Sequence, residues 1–137
     1  MGCTSGVPEG HTPPTKVLVI DDEPAVLGLV ANALSARGYE VHAAADPAQA
    51  LELAQAMPCF DLVVSDVIMP GMCGPELVRR ITRICPNTAV LMMSGYIAAE
   101  AIPKRAAFIA KPFRLADLCS IVGNLLPPSV DETERAS

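Results

Sequence analysis

Val63-Val64-Ser65-Asp66-Val67-Ile68-Met69-Pro70-Gly71-Met72-Cys73-Gly74-Pro75 is the stretch from which the rest of the chain can be read. A short β-type apolar run, Leu62 to Ser65, delivers one carboxylate, Asp66, to its C-terminal end. A proline–glycine turn then interrupts the chain and opens a helix. That helix is expected over Pro75 to Ile84, with Leu77, Val78, Ile81 and Ile84 inward and Pro86 beyond its end. A strand that ends in an acid and turns into a helix is half of a βαβ unit. In a parallel α/β sheet, ligands and chemistry sit at the C-terminal strand ends.

The same rhythm runs in both directions. Upstream, Val17-Leu18-Val19-Ile20 is a continuous apolar run of the kind buried on both faces of a parallel sheet. Asp21-Asp22-Glu23 follows it, and Pro24 suits the first position of a helix that reaches Arg37 and stops at Gly38. Leu27, Val30 and Leu34 lie on one face of that helix. Val41 to Ala45 is a weaker, Ala-rich strand, and Asp46-Pro47 caps a helix that ends near Met57-Pro58. Downstream, Ala89 to Met93 is a strand running into Ser94-Gly95-Tyr96. Ala106 to Ala110 is a strand ending in Lys111-Pro112, and Arg114 to Leu126 is a closing helix with Leu115, Leu118, Val122 and Leu125 at helical spacing. Five strands alternating with helical segments imply a parallel sheet with helices on both faces.

Residues 1–15 read as a flexible N-terminal arm, 16–126 as one domain, and 127–137 as a flexible acidic tail. The 137 residues are 51% hydrophobic, 4% aromatic and 18% charged with a net charge of −5, which describes an aliphatic globular domain. No basic run supports a nucleic-acid surface, and no apolar run has the length of a membrane span or a signal core. A soluble, cytoplasmic protein is expected. Cys3, Cys59, Cys73, Cys85 and Cys119 have no CxxC pair and no partnered histidine cluster, so reduced thiols are expected instead of disulfides or zinc. His42 has no second ligand nearby in sequence and reads as a surface or core histidine, not a metal ligand. Met92-Met93 reads as strand packing.

Every strand except the second ends in a polar residue: Asp21 and Asp22, Asp66, Ser94, and Lys111. Three carboxylates at one edge repel unless a cation neutralises them. Hard oxygen ligands suit Mg²⁺, which typically takes one or two carboxylates together with waters and phosphate oxygens. A nearby hydroxyl and ammonium suit an oxyanion, so the set reads as a site that forms and holds an acyl phosphate with aspartate as nucleophile.

With these residues in place the chain resembles the receiver domain of two-component response regulators. Asp21-Asp22-Glu23, Asp66-Val67-Ile68-Met69-Pro70-Gly71-Met72-Cys73-Gly74, Ser94-Gly95-Tyr96 and Lys111-Pro112-Phe113 match in order and in strand context. The resemblance spans about Lys16 to Leu126. It implies a flavodoxin-like (βα)5 fold with sheet order 2-1-3-4-5. It implies Asp66 as phosphoacceptor and a histidine kinase or histidine phosphotransfer domain as donor. Mg²⁺, for which Mn²⁺ or Ca²⁺ can substitute, would be held by Asp21, Asp22, Asp66 and the backbone carbonyl of Ile68. Ser94 and Lys111 would contact the phosphoryl group, Lys111-Pro112 would be a cis peptide, and Ser94 with Phe108 would form the switch that presents a new surface to a downstream protein. The wording around Met93-Ser94-Gly95-Tyr96 and Ala110-Lys111-Pro112-Phe113 resembles receivers attached to hybrid sensor kinases. Rival readings are a pseudo-receiver that serves only as an interaction module and an Asp-nucleophile phosphohydrolase. Against the second, Ile68 stands where that chemistry wants an acid two residues after the nucleophile.

Two departures from the family pattern carry expectations. Only 17 residues separate Ser94 from Lys111, so the helix between them is expected to be short, irregular or replaced by a loop. The amides of Ile97 to Arg105 should then exchange rapidly, and a homodimer, if formed, is not expected to use the family's surface of fourth helix, fifth strand and fifth helix. Ile68 and Tyr96 are bulky and neither orients a water, so a long-lived phosphoryl group is expected.

Overall fold

The computed structural model describes residues 15–57, 59–95 and 106–126. Its elements are β1 (Lys16–Ile20), α1 (Pro24–Ala36), β2 (Glu40–Ala44), α2 (Pro47–Ala56), β3 (Leu62–Asp66), α3 (Gly74–Ile84), β4 (Ala89–Ser94), β5 (Ala107–Ala110) and α4 (Leu115–Leu125). The five strands pair in parallel in the order β2-β1-β3-β4-β5, as expected for a flavodoxin-like sheet.

The central strands are continuous apolar runs because both of their faces are covered. Successive side chains leave a strand on opposite sides. Leu18 and Ile20 of β1, Val63 of β3, and Val90 and Met92 of β4 enter one core with Leu77, Val78 and Ile81 of α3. Val17 and Val19, Leu62 and Val64, and Leu91 and Met93 enter the other, with Val30 and Leu34 of α1 and Leu118 and Val122 of α4. Removing such a side chain from water contributes roughly 1.5–3 kcal/mol each. The two cores therefore fix both the strand register and the helix positions.

Local signals set the helix starts. Pro24 opens α1, and Gly38, at φ 96°, takes the left-handed conformation that lets the chain leave it. Asp46 caps α2 by accepting a 2.8 Å bond from the Gln49 amide, while Gln49 Oε1 accepts from the Ala45 amide at 2.9 Å. His42 bonds Glu40 at 2.8 Å and meets the Phe60 ring edge-on at 5.7 Å. The expected arm and tail, apart from Thr15, and the expected irregular segment Ile97 to Arg105 lie outside the described residues. No helix among the described residues is long and apolar enough to cross a membrane.

Two expectations are overturned. Ile84 is 43% exposed instead of inward. The inward stripe of α3 continues from Leu77 and Ile81 to Cys85, at i, i+4 and i+8, which leaves Ile84 on the flank. The second concerns the thiols. Cys59 and Cys85 form a disulfide with Cα atoms 5.6 Å apart, so these two cysteines are not reduced. Cys59 precedes β3 and Cys85 follows α3. A strand and the helix that returns from it begin and end at the same sheet edge, so 26 residues of separation along the chain become adjacency in space. Cys73 and Cys119 are free thiols.

Candidate functional site

At the C-terminal edge of the sheet, β1, β3, β4 and β5 end side by side. Asp21 follows β1 directly and is fully buried, and its Oδ1 accepts from the Glu23 amide at 2.8 Å. Asp22 is exposed beside it. Asp66 is the last residue of β3 and is 7% exposed. One carboxylate oxygen from each of Asp21, Asp22 and Asp66 lies within 4.8 Å of the others. Crowding three acids together, two of them buried, is unfavourable unless positive charge answers them.

Lys111, one residue past β5, supplies part of that charge. Its Nζ reaches Asp21 Oδ2 at 2.9 Å, Asp66 Oδ2 at 3.3 Å and Glu23 Oε1 at 3.4 Å. Burial alone would push the Lys111 pKa down, but its bond to Asp21 and the charges of Asp21 and Asp66 prevail and raise it. Asp66 is held above the usual carboxylate range, chiefly by burial and further by the Asp21 charge, against the opposing pull of Lys111. One ammonium thus answers three carboxylates only in part. The remaining deficit, with an all-oxygen donor set, fits a hard divalent cation such as Mg²⁺.

The turn after Asp66 is shaped by close approach. The Gly74 amide donates to the Val67 carbonyl at 2.7 Å. A Cβ at position 74 would fall on the Asp66 carbonyl oxygen and lie 2.9 Å from both Met92 Cε and Val67 Cα. Gly71, at φ 88°, adopts the left-handed backbone behind Pro70. Ile68 donates its amide to Asp66 Oδ1 at 3.4 Å, and the residue is 60% exposed.

The structure therefore brings Asp21, Asp22, Asp66 and Lys111 together, with Ile68 at their rim. Ser94 ends β4, 1% exposed, and its carbonyl accepts from the Lys111 amide at 2.8 Å. The Lys111-Pro112 bond is cis, as expected. Phe108 is half-buried on β5, opposite Met92 in register and packed against the α2–α3 core. Tyr96 lies outside the described residues. Glu23 was not singled out by sequence reasoning as a partner of Lys111, although its place directly after two strand-end acids was the available signal. Next to Lys111 an apolar groove of about 370 Å³ is lined by Val26, Leu29 and Val30 of α1 and by Pro112, Phe113 and Leu115.

The chain is similar to known proteins in sequence and in fold. Residues 17–123 match the family described as the response regulator receiver domain. The sensor kinase CckA of Brucella abortus (strain 2308) is 40% identical over 116 residues, covering 80% of this chain and 12% of CckA. The response regulator receiver protein CpdR of the same organism is 32% identical over 116 residues, covering 81% of this chain and 96% of CpdR. The chain thus spans a small part of one relative and nearly all of the other. Among solved structures, the receiver domain of the hybrid histidine kinase CckA aligns with a TM-score of 0.73 at 36% identity, covering 82% of this chain and 99% of that one. The chemotaxis response regulator CheY4 of Vibrio cholerae aligns with a TM-score of 0.74 at 31% identity, covering 83% and 100%.

Proposed function

Because the chain belongs to the response regulator receiver domain family, we propose that Asp66 accepts a phosphoryl group from a phosphohistidine of a histidine kinase or phosphotransfer protein, with Mg²⁺ bound by Asp21, Asp22 and Asp66. The observation that carries this reading is the contact of Lys111 Nζ with both Asp21 and Asp66 at a cluster of three acids. An Asp66 carboxylate oxygen attacks phosphorus, the P–N bond to the donor imidazole breaks, and an acyl phosphate forms. Mg²⁺, when bound, supplies charge neutralisation for the phosphoryl oxygens and the acids around them.

The chain's own residues do the rest. Lys111 lies within reach of Asp66 and can bond the new phosphoryl oxygens without a large movement. Asp21 holds the ammonium in place at 2.9 Å, and Ser94, at the end of the neighbouring strand, is the hydroxyl suited to the same oxygens. Phe108 packs beside Met92 on the adjacent strand, so a change at Ser94 can be transmitted to β5 through packing. A macromolecular donor must cover the surroundings of Asp66 to deliver its phosphoryl group. The apolar groove beside Lys111, with Leu29 57% exposed, is the surface suited to it.

The test is incubation with phosphoramidate and Mg²⁺ followed by intact-mass and peptide analysis. A single adduct of roughly 80 Da on Asp66, absent in Asp66→Asn and absent with a chelator, is expected. Continuous release of inorganic phosphate without an accumulating adduct, or an adduct elsewhere, would overturn the assignment.

A further inference from the structure

The bond between Cys59 and Cys85 lies at the sheet edge opposite the acids and plays no part in their chemistry. We propose that it is a thiol–disulfide exchange site, entered at Cys59, through which small thiols or dithiol reductants set the stability of the segment that carries Asp66. The bridge joins positions 26 apart in sequence and closes a loop that contains all of β3, Asp66, the Gly71–Gly74 turn and all of α3.

Two features of the site point to exchange. The two sulfurs belong to residues of opposite accessibility: Cys59 is exposed in an irregular stretch, whereas Cys85 is 5% exposed at the end of α3. A thiolate from solution is therefore admitted to Cys59 and excluded from Cys85. The backbone around the bridge is also fastened independently of it. Thr88 Oγ1 donates to the Phe60 carbonyl at 2.8 Å, and the Ala89 amide donates to the Asp61 carbonyl at 3.0 Å. The Asp61 amide donates to the Lys16 carbonyl at 2.9 Å, and the Lys16 amide to Asp61 Oδ2 at 2.8 Å. Phe60 itself is anchored in the core at 3% exposure. Opening the bridge thus leaves both cysteines where they are, with Cα atoms spaced for closure again.

The exchange balances as follows. A thiolate attacks the Cys59 sulfur, a mixed disulfide forms on Cys59, and the Cys59–Cys85 bond breaks with Cys85 leaving as thiolate and taking a proton from water. A second thiolate then attacks the reductant's sulfur, giving the oxidised reductant and freeing Cys59. Two electrons pass from two external thiols to the protein disulfide, and a disulfide oxidant runs the sequence backwards.

The full chain tests this without any phosphate readout, so its outcome is separable from that of the phosphoacceptor reading. A non-reducing peptide map should show Cys59 joined to Cys85. Dithiothreitol should release both thiols while far-UV dichroism is retained, lower the melting temperature by roughly 10 °C, and be reversed by oxidised glutathione. In Cys85→Ser, oxidised glutathione should label Cys59 at least about tenfold faster than it labels Cys85 in Cys59→Ser. Absence of the joined peptide, release of the thiols only under unfolding conditions, or equal labelling of the two variants would overturn the proposal.

Discussion

Replacing Lys111 with methionine removes the ammonium while keeping most of the side chain's apolar stem. The site then holds Asp21, which is fully buried, and Asp66, at 7% exposure, without the cation that reaches them at 2.9 and 3.3 Å. Removing one partner of a buried ion pair costs about 3–5 kcal/mol. Asp22 and Glu23 open this site to solvent on one side, which places the expected loss near the lower limit, about 3 kcal/mol. For a domain of this length that lowers the melting temperature by roughly 10 °C in metal-free buffer. The same change strips the acids of their competing charge, so Mg²⁺ should bind the variant more tightly. A tenfold gain in affinity adds about 1.4 kcal/mol of stabilisation at saturating ion. Thermal melts with and without Mg²⁺ measure both effects, and phosphoramidate labelling should fall by roughly a hundredfold or more. An unchanged melting temperature, or an identical Mg²⁺ response in the two proteins, would show that Lys111 is not what offsets the carboxylates.

Three further outcomes are expected. Gly74→Ala forces a methyl onto the Asp66 carbonyl and against Val67, so it should lower stability by about 1–3 kcal/mol or more in urea titration and slow phosphorylation with it. Asp66→Asn should melt at a higher temperature than the unaltered chain in metal-free buffer. Because the folded-state pKa of Asp66 is raised, chiefly by burial, the folded chain binds more protons than the unfolded one just above the ordinary carboxylate range. Stability from this group is therefore lost as pH rises through that window, and the gap to Asp66→Asn should widen from mildly acidic to neutral pH and vanish in strong acid. Ile68→Asn replaces an exposed apolar rim with an amide able to orient water, and should shorten the lifetime of the phosphorylated form, followed by loss of the mass adduct. An unchanged lifetime would remove Ile68 from the account of hydrolysis.

What could be read from the sequence, and what could not, follows from how the chain converts order into space. Continuous apolar runs such as Val17–Ile20 and Ala89–Met93 announce strands covered on both faces. A parallel sheet then sends every strand's C-terminal residue to one edge, so Asp21, Asp22, Asp66 and Lys111 could be assembled before any coordinate was known. Side-chain detail was less legible. The reach of Lys111 to Glu23 depends on a rotamer, and the approach of Gly74 to the Asp66 carbonyl depends on the path of the turn. Neither has a periodic signature. The disulfide is the instructive failure, because the rule that found the acids also contains it. If strand ends collect at one edge, the residues before a strand and after the following helix collect at the other. Cys59 and Cys85 stand at those two positions around β3 and α3. Judging the cysteines by number and spacing along the chain, as suits small disulfide-rich folds, discarded the topology that had already located Asp66 and the other acids. In a parallel βα protein the useful spacing for a cysteine pair is one strand plus one helix, and the same test applies to any polar or metal-binding pair at that edge.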